Sequence, residues 1–453
     1  MKTRQWVGLI LVSSIRMKKC LILTQFIFFV FSFNLNSQTK FLIKDTEGFD
    51  YILNVNVDGN KIYGFTRDKA LFDYASKFNY RVIKLVSTLK HSEIIRFNGI
   101  INNNQFEGTY DFLFSSYRIE GNINSDSIHF SLFDKNNKLF KSLNGVEIMN
   151  HSKKDYVKLA KKIIVITEEN IFNPKTITTK KWDKFKRKLI DASSKVSDDL
   201  EFQIGFFVLI RNFDFSHFYL VRDLEAKDID ETPSLNEIDK DIVVLKIGSF
   251  FMDKEKIKPL LDTIEQKKYK NLIIDLRDNP GGYFEPASLI ANFITDEVFI
   301  SGFFPTRKWH EEYNRLPNRN DIEKFNMING DTVQTNSEYG FYISTKGTNK
   351  KFEGNIYFLV NRKTGSTAEA LTIGAKEYNI AKIAGEKTAG GLLSVQRFSI
   401  DEDIILFVPV NDFISYNGYR VDQIGIKPDI YIKKGNQLEH FINMVLRSKR
   451  LYP

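Results

Sequence analysis

Cysteine is nearly absent from this chain: among 453 residues only Cys20 carries a thiol. It precedes the apolar stretch 21–33, so a chain that loses its N-terminal segment keeps no thiol. Disulfides, cysteine nucleophiles and cysteine-ligated metal are thereby excluded. Histidine is scarce too, with six residues in all. None has partners at ligand spacing, so no metal centre is expected. No glycine-rich phosphate loop and no internal repeat occurs, and nothing implies an organic cofactor.

Long apolar runs are also missing. The stretch 21–33 follows Lys18-Lys19 and precedes small and polar residues, and it is too short for a bilayer span. Residues 1–37 therefore read as a secretory signal, with Met17 a better start than Met1. The expectation is an exported protein, periplasmic or extracellular, with an uncleaved N-terminal membrane anchor as the alternative. Those residues hold five basic side chains and no acid, so removing them takes the formal charge from +9 to +4. A balance that small gives no ground for a nucleic-acid partner.

What is present is ordinary for a globular chain, with 42% hydrophobic and 27% charged residues. Residues 38–150 alternate apolar and polar side chains between turn signals such as Asp58-Gly59 and Asn102-Asn103-Asn104, which predicts an antiparallel β domain. His91 and His129 lie in it as surface or packing residues. From 151 to 235 the period changes. Tyr156, Leu159, Ala160 and Ile163, then Trp182, Phe185 and Leu189, recur at helical spacing beneath lysine-rich outer faces. This region ends in Asp214-Phe215-Ser216-His217-Phe218-Tyr219. Residues 236–453 alternate strand-like and helix-like segments, which predicts an α/β core with right-handed crossovers. Within it, 297–355 is a long insertion holding Trp309, His310 and Tyr313, suited to covering or shaping a site.

Two stretches carry chemistry. Tyr357-Phe358-Leu359-Val360 reads as a buried strand, and after a short turn Ser366-Thr367-Ala368-Glu369 opens a helix. A hydroxyl at a helix N-terminus sits where free N–H groups and the helix dipole favour negative charge, although a serine there can also be a simple cap. In Leu272-Ile273-Ile274-Asp275-Leu276-Arg277-Asp278-Asn279-Pro280-Gly281-Gly282 a buried strand ends in charge and a Pro-Gly-Gly turn. Glycines there allow a sharp turn with N–H groups left free, or serve a purely structural strand-to-helix turn. Together the two stretches supply a nucleophile and oxyanion donors for acyl transfer.

These two motifs, followed by Gly385-Glu386-Lys387-Thr388-Ala389-Gly390-Gly391, resemble the S41 family of serine peptidases over roughly residues 200–432. That family includes the C-terminal processing (tail-specific) proteases, the tricorn core protease and the retinoid-binding repeats. The resemblance implies a ClpP/crotonase-like core, Ser366 as nucleophile, and Gly281 or Gly282 with Thr367 as oxyanion-hole donors. The processing branch takes its base from a lysine after the Gly-Glu-Lys-Thr motif, where this chain has Gly390-Gly391-Leu392; Lys387 is not promoted to that role. No PDZ domain fits between Asp214 and Asp241. The tricorn-like branch instead implies His217 as base, Asp422 as its carboxylate orienter in the place of an expected glutamate, and Ser216 assisting. The expected function is an exported serine endopeptidase acting on proteins or peptides, without metal or cofactor. The rivals are a non-hydrolytic binder of peptides or hydrophobic ligands on the same fold, and hydrolysis of a non-peptide ester or amide.

N-terminal sequencing of protein from the producing cells tests the export reading. The expected mature chain begins near Gln38 outside the cytoplasm; recovery of an intact Met1 or Met17 in the soluble cytoplasm refutes it.

Overall fold

The computed structural model describes residues 38–67, 93–113, 115–149, 153–211, 213–223, 232–329, 332–333, 337–345, 347, 352–433 and 435–451. The expected signal over 1–37, Cys20 and His91 lie outside these. The chain divides into two compact units, residues 1–154 with 195–205, and residues 155–194 with 206–453.

In the first unit eight strands form a closed antiparallel barrel: β1 (Thr39–Lys44), β2 (Tyr51–Asp58), β3 (Lys61–Phe65), β4 (Ile95–Asn102), β5 (Gln105–Phe112), β6 (Ser115–Ile123), β7 (Ser127–Phe133) and β8 (Leu139–Glu147). Each pairs with the next, and β8 returns to β1 through Phe41↔Glu147 and its neighbours, which leaves no free sheet edge. Alternation sends Phe41, Ile43, Leu53, Val55, Ile62 and Phe97 inward, all buried. At Gly64 a Cβ would sit 1.8 Å from the Phe97 ring, so glycine there makes room for the aromatic side chain. Side chains fill the barrel, and the Tyr51 and Tyr110 hydroxyls meet inside it at 3.1 Å. The expected turns appear, with Gly59, Asn103 and Asn104 all at positive φ. His129 lies on the exposed side of β7, its Nδ1 2.7 Å from Asn144 Oδ1.

The second unit begins with α1 (Tyr156–Asn170) and α2 (Lys180–Ser193), and it takes in the later part of α3 (Asp199–Ile210). The two helices expected as a separate region belong to the same unit as the α/β core. An amphipathic helix must bury its apolar stripe against something. Here Trp182 stacks on Phe185 at 5.0 Å, and the cluster continues through Phe206 and Phe218. The chain then passes through β9 (Tyr219–Arg222), β10 (Ser234–Asp239), β11 (Ile242–Lys246), α4 (Lys258–Lys267), β12 (Asn271–Asp275), α5 (Phe284–Ile294), β13 (Ile300–Pro305) and α6 (Arg307–Glu312). It continues as β14 (Asn326–Asn329), β15 (Thr332–Val333), β16 (Gly340–Ser344), β17 (Asn355–Val360), α7 (Thr367–Glu377), β18 (Lys382–Gly385), β19 (Ser394–Ser399), β20 (Ile404–Asn411), β21 (Ile414–Ser415), β22 (Ile430–Tyr431) and α8 (Gln437–Leu451).

The central sheet has the order β10-β11-β12-β17-β18-β22 and is parallel from β11 onward, with β10 an antiparallel edge. Leu272 and Ile274 of β12 face α4, α5 and α7, while Ile273 faces Phe441 and Val445 of α8. Burial on both faces is why these strands read as unbroken apolar runs. The insertion contributes most of a second sheet, β15-β14-β16-β13-β21, and Trp309 anchors its aromatic cluster against Tyr313 at 4.2 Å. A third sheet, β19-β20-β9, carries the strand that follows His217. The whole is a mixed α/β core, as the S41 resemblance implied, together with the N-terminal antiparallel domain expected from alternation.

Trp182 is fully buried and its indole N–H donates to Glu168 Oε1 at 2.8 Å. Trp182→Ala is expected to lower stability by about 3–5 kcal/mol. Urea unfolding followed by circular dichroism checks this; a loss below about 1 kcal/mol would contradict the role given to α2.

Candidate active site

Two strand-to-helix turns meet at the C-terminal ends of β12 and β17, where parallel α/β sheets place their ligand sites. After β12, Asp275 is buried and holds Arg277 through two bonds, Nε at 2.8 Å and the terminal nitrogen at 2.7 Å. The Asn279 amide pins the following turn: its Nδ2 donates to the Ile247 carbonyl at 3.0 Å and its Oδ1 accepts the Gly281 N–H at 2.8 Å. After β17, Thr364 Oγ1 donates to the Leu276 carbonyl at 2.8 Å, and Gly365 N–H donates to the Asn279 carbonyl at 2.9 Å. The two turns thus form one hydrogen-bonded block.

Ser366 stands at the tip of that block, at φ +52 and ψ −125. A non-glycine residue there stores roughly 1–3 kcal/mol of strain, which the surroundings must hold in place. They do so through Glu369, which is fully buried. Its carboxylate accepts the N–H groups of Ser366 at 3.2 Å, Gly390 at 2.8 Å and Gly391 at 2.9 Å, and the Thr388 hydroxyl. Burial raises its pKa while these donors pull it down, and burial dominates. Ser366 is the N-cap of α7, and the bond from its N–H to Glu369 belongs to a capping box, so this serine also caps the helix that it opens. Ser366 is half-buried.

Of the three expected oxyanion donors, Gly282 and Thr367 have amides with no hydrogen-bond acceptor among the described residues. Thr367 is the first residue of α7 and has no intrahelical partner for its N–H. Gly282 forms a parallel bridge with Phe250 whose bonds run through Gly281 O and Tyr283 N, so its own N–H takes no part. Gly281 departs from expectation, because its N–H is already taken by Asn279. Its glycine character is steric: a Cβ would lie 2.5 Å from Ser366 Cβ and 2.9 Å from Thr367 N. Thr367 Oγ1 clamps the Gly282 carbonyl at 2.6 Å.

Ser216, His217 and Asp422 are brought together, in a different order from the one expected. The Ser216 hydroxyl donates to Asp422 Oδ1 and lies 2.5 Å from His217 Nδ1. Asp422 also accepts the Ser216 N–H at 3.1 Å and the Leu392 N–H at 3.3 Å. A hydroxyl has one proton, and a carboxylate can only accept. Ser216 therefore receives the Nδ1 proton of His217, which leaves the Nε2 lone pair open. Asp422 thus acts on the imidazole through Ser216, without direct contact. It is fully buried, which raises its pKa above the usual carboxylate range despite those donors and Arg420 at 3.8 Å. Burial also pushes His217 down to about 4, so it is neutral at pH 7.

His217 and Ser366 both border Gly391. Ser366 N–H donates to the Gly391 carbonyl at 2.8 Å, and the position of a Gly391 Cβ is 3.7 Å from His217 Cε1. No hydrogen bond joins Ser366 to His217 here; catalytic pairs in empty sites are often long and tighten on binding substrate. Lys387 is exposed, and a lysine base would need burial to lose its proton at pH 7. Among the described residues no group of three or more acidic, histidine or cysteine side chains could hold a metal ion. From the insertion, His310 joins this neighbourhood, its pKa lowered to about 4 by burial and then by Arg420 and Lys175. Glu369 entered the sequence reading only as a marker of spacing, and Asn279 and Thr388 only as letters of motifs. A glutamate three residues after a helix-opening serine is the pattern that could have revealed the first.

The model of Peptidase family S41 matches residues 241–432, which takes in Gly282, Ser366, Glu369 and Asp422 but not His217. The "Probable CtpA-like serine protease" of Staphylococcus aureus is 25% identical over 191 residues, 42% of this chain and 33% of that protein. The "Tail-specific protease" of Haemophilus influenzae is 25% identical over 204 residues, 42% of this chain and 24% of that protein. The chain thus spans a third or less of the length of these curated relatives. Among solved structures, a lipoprotein from Streptococcus agalactiae gives a TM-score of 0.46 at 17% identity, covering 66% of this chain and 99% of that one.

His217 has its folded-state pKa below the ordinary imidazole value, so the native protein binds fewer protons than the unfolded chain between about pH 6.5 and 4. Its contribution to stability is complete above that window and is lost as pH falls through it. NMR titration of the His217 ring is expected to give a midpoint about 4; an ordinary midpoint of about 6.5 would contradict the burial described.

Proposed function

We propose that this protein is a serine peptidase that cleaves peptide bonds through Ser366, with the S41 match over residues 241–432 as the premise. The observation that carries the reading is the contact chain Asp422–Ser216–His217, from which the proton count has Asp422 accepting from Ser216 and Ser216 accepting from His217 Nδ1. His217 Nε2 is then a base at neutral pH. It removes the Ser366 proton as Oγ attacks the scissile carbonyl, and it returns the proton to the leaving amine. The oxyanion that forms on the former carbonyl is met by the Gly282 and Thr367 amides and the N-terminal dipole of α7. Water then attacks the acyl-enzyme with His217 again as base. As the imidazolium forms, the buried Asp422 stabilises it through Ser216.

Protein or peptide substrates and endopeptidase action belong to the same proposal. So does export, which rests on the basic and apolar pattern of residues 1–37. No helix among the described residues is long and apolar enough to cross a membrane. One observation favours the non-hydrolytic alternative, the missing hydrogen bond between Ser366 and His217, and kinetics separates the two readings.

Against casein and quenched peptides, Ser366→Ala is expected to abolish turnover with folding intact, and His217→Ala to cost on the order of three decades or more in kcat. Asp422→Asn and Ser216→Ala should fall between, and Lys387→Ala should stay within a few-fold of the parent. Activity that survives Ser366→Ala, or a dead Lys387→Ala beside a near-normal His217→Ala, refutes the assignment.

A further inference from the structure

Beside the oxyanion donors lies a cavity of about 30 Å³, walled by Phe284 and Ala287 of α5, Thr367 and Leu371 of α7, and the ends of β13 and β16. Its walls are mostly apolar, yet Ser301 and Ser344 both line it and both hydroxyls are buried without a hydrogen-bond partner. Ser301 is only 5% exposed and Ser344 4%. An unpaired buried hydroxyl costs roughly 1–3 kcal/mol, and two in one small cavity are not expected from packing alone.

Their placement follows from the backbone. The register between β13 and β16 shifts between Ile300 and Gly302, so Ser301 is the extra residue of a β-bulge, while Ser344 stands opposite Ile300. Bulges redirect a side chain out of the ladder pattern, and they recur beside active sites. On the other wall Gly374 lets α7 approach β13 closely, since a Cβ there would lie 3.2 Å from Ser301 Cα and 2.5 Å from the Phe299 ring. The cavity is therefore narrow, bordered at one end by the residue that follows the nucleophile.

We propose that this cavity receives the substrate side chain on the acyl side of the scissile bond, and that Ser301 and Ser344 select a short side chain with its own hydrogen-bonding group, threonine or serine before the isosteric valine. The inference rests on the reading of Ser366 as nucleophile, because that fixes where the acyl group lies. Thr367 links the two, because it is one of the proposed oxyanion donors and also lines the cavity. About 30 Å³ holds one water or the tip of a short side chain, which disfavours aromatic and long charged residues. A bound hydroxyl can pair with both serines, whereas a methyl group of the same size leaves them unpaired.

The test measures binding, so it does not depend on turnover. On full-length Ser366→Ala protein, calorimetry compares the tetrapeptides Ala-Ala-Ala-Thr and Ala-Ala-Ala-Val, whose terminal carboxylate stands where the acyl group would. The threonine peptide is expected to bind about tenfold more tightly. Added Ser301→Ala and Ser344→Ala substitutions should each shrink that ratio, and together abolish it. Removing an unpaired hydroxyl breaks no bond and relieves its burial cost, so both variants should melt at or above the parent temperature. Equal affinities, a preference for valine, no binding of either peptide, or a threonine preference that survives the double substitution would each overturn the proposal. A threonine preference in a protein whose Ser366 parent cleaves no peptide would leave the pocket standing and remove the hydrolytic reading instead.

Discussion

The arrangement of the site depends on one buried carboxylate. Glu369 sits on α7, one turn inside the helix that Ser366 opens, and it gathers donors from two distant stretches: Ser366 on its own turn, and Thr388, Gly390 and Gly391 on the loop after β18. A charge in that position is costly unless its lone pairs are filled, and here three backbone amides and a hydroxyl fill them. Those bonds hold Ser366 in its strained conformation, and they place the Gly391 carbonyl that Ser366 N–H needs. Because His217 also borders Gly391, the placement of the proposed nucleophile relative to the proposed base follows from Glu369 as well.

A second constraint is the count of protons. Ser216 can give only one, and the buried Asp422 claims it, so the imidazole tautomer is decided one residue away from the carboxylate. On the proposed mechanism an aspartate serves where the family resemblance led to a longer glutamate, because the serine spans the gap. Arg420 extends the chain outward, lying 3.8 Å from Asp422 and 3.2 Å from Asp412, a buried carboxyl pushed up to about 6. The low imidazole pKa has a cost and a use. It keeps the imidazole unprotonated at neutral and mildly acidic pH, and on the proposed mechanism the charge that His217 gains is stabilised through Ser216.

Much of this was legible in the chain because the signals are local. The apolar run ending in Asp275, the Pro-Gly-Gly turn and the serine opening an alanine-rich helix each lie within about a dozen residues, and the structure joins them as expected. What was not legible depends on contacts between remote residues. The pairing of β1 with β8 closes the barrel, but alternation gives only strands and turns. The bond from Ser216 to Asp422 spans 206 residues, so no spacing rule could show that the serine intervenes. Gly281 was a reasonable oxyanion donor until the Asn279 side chain proved to hold its amide. The helices of 155–194 read as their own region because their period is clear, while the aromatic cluster that ties them to the core is distributed over Phe206, Phe213 and Phe218.

The central claim is that Ser366 is a nucleophile activated by neutral His217. Reaction of the protein with a fluorophosphonate, followed by digestion and mass mapping, tests it most directly. The account predicts a single adduct on Ser366, formed at pH 7 and nearly absent in His217→Ala. An unmodified Ser366, or equally fast labelling without His217, would contradict it.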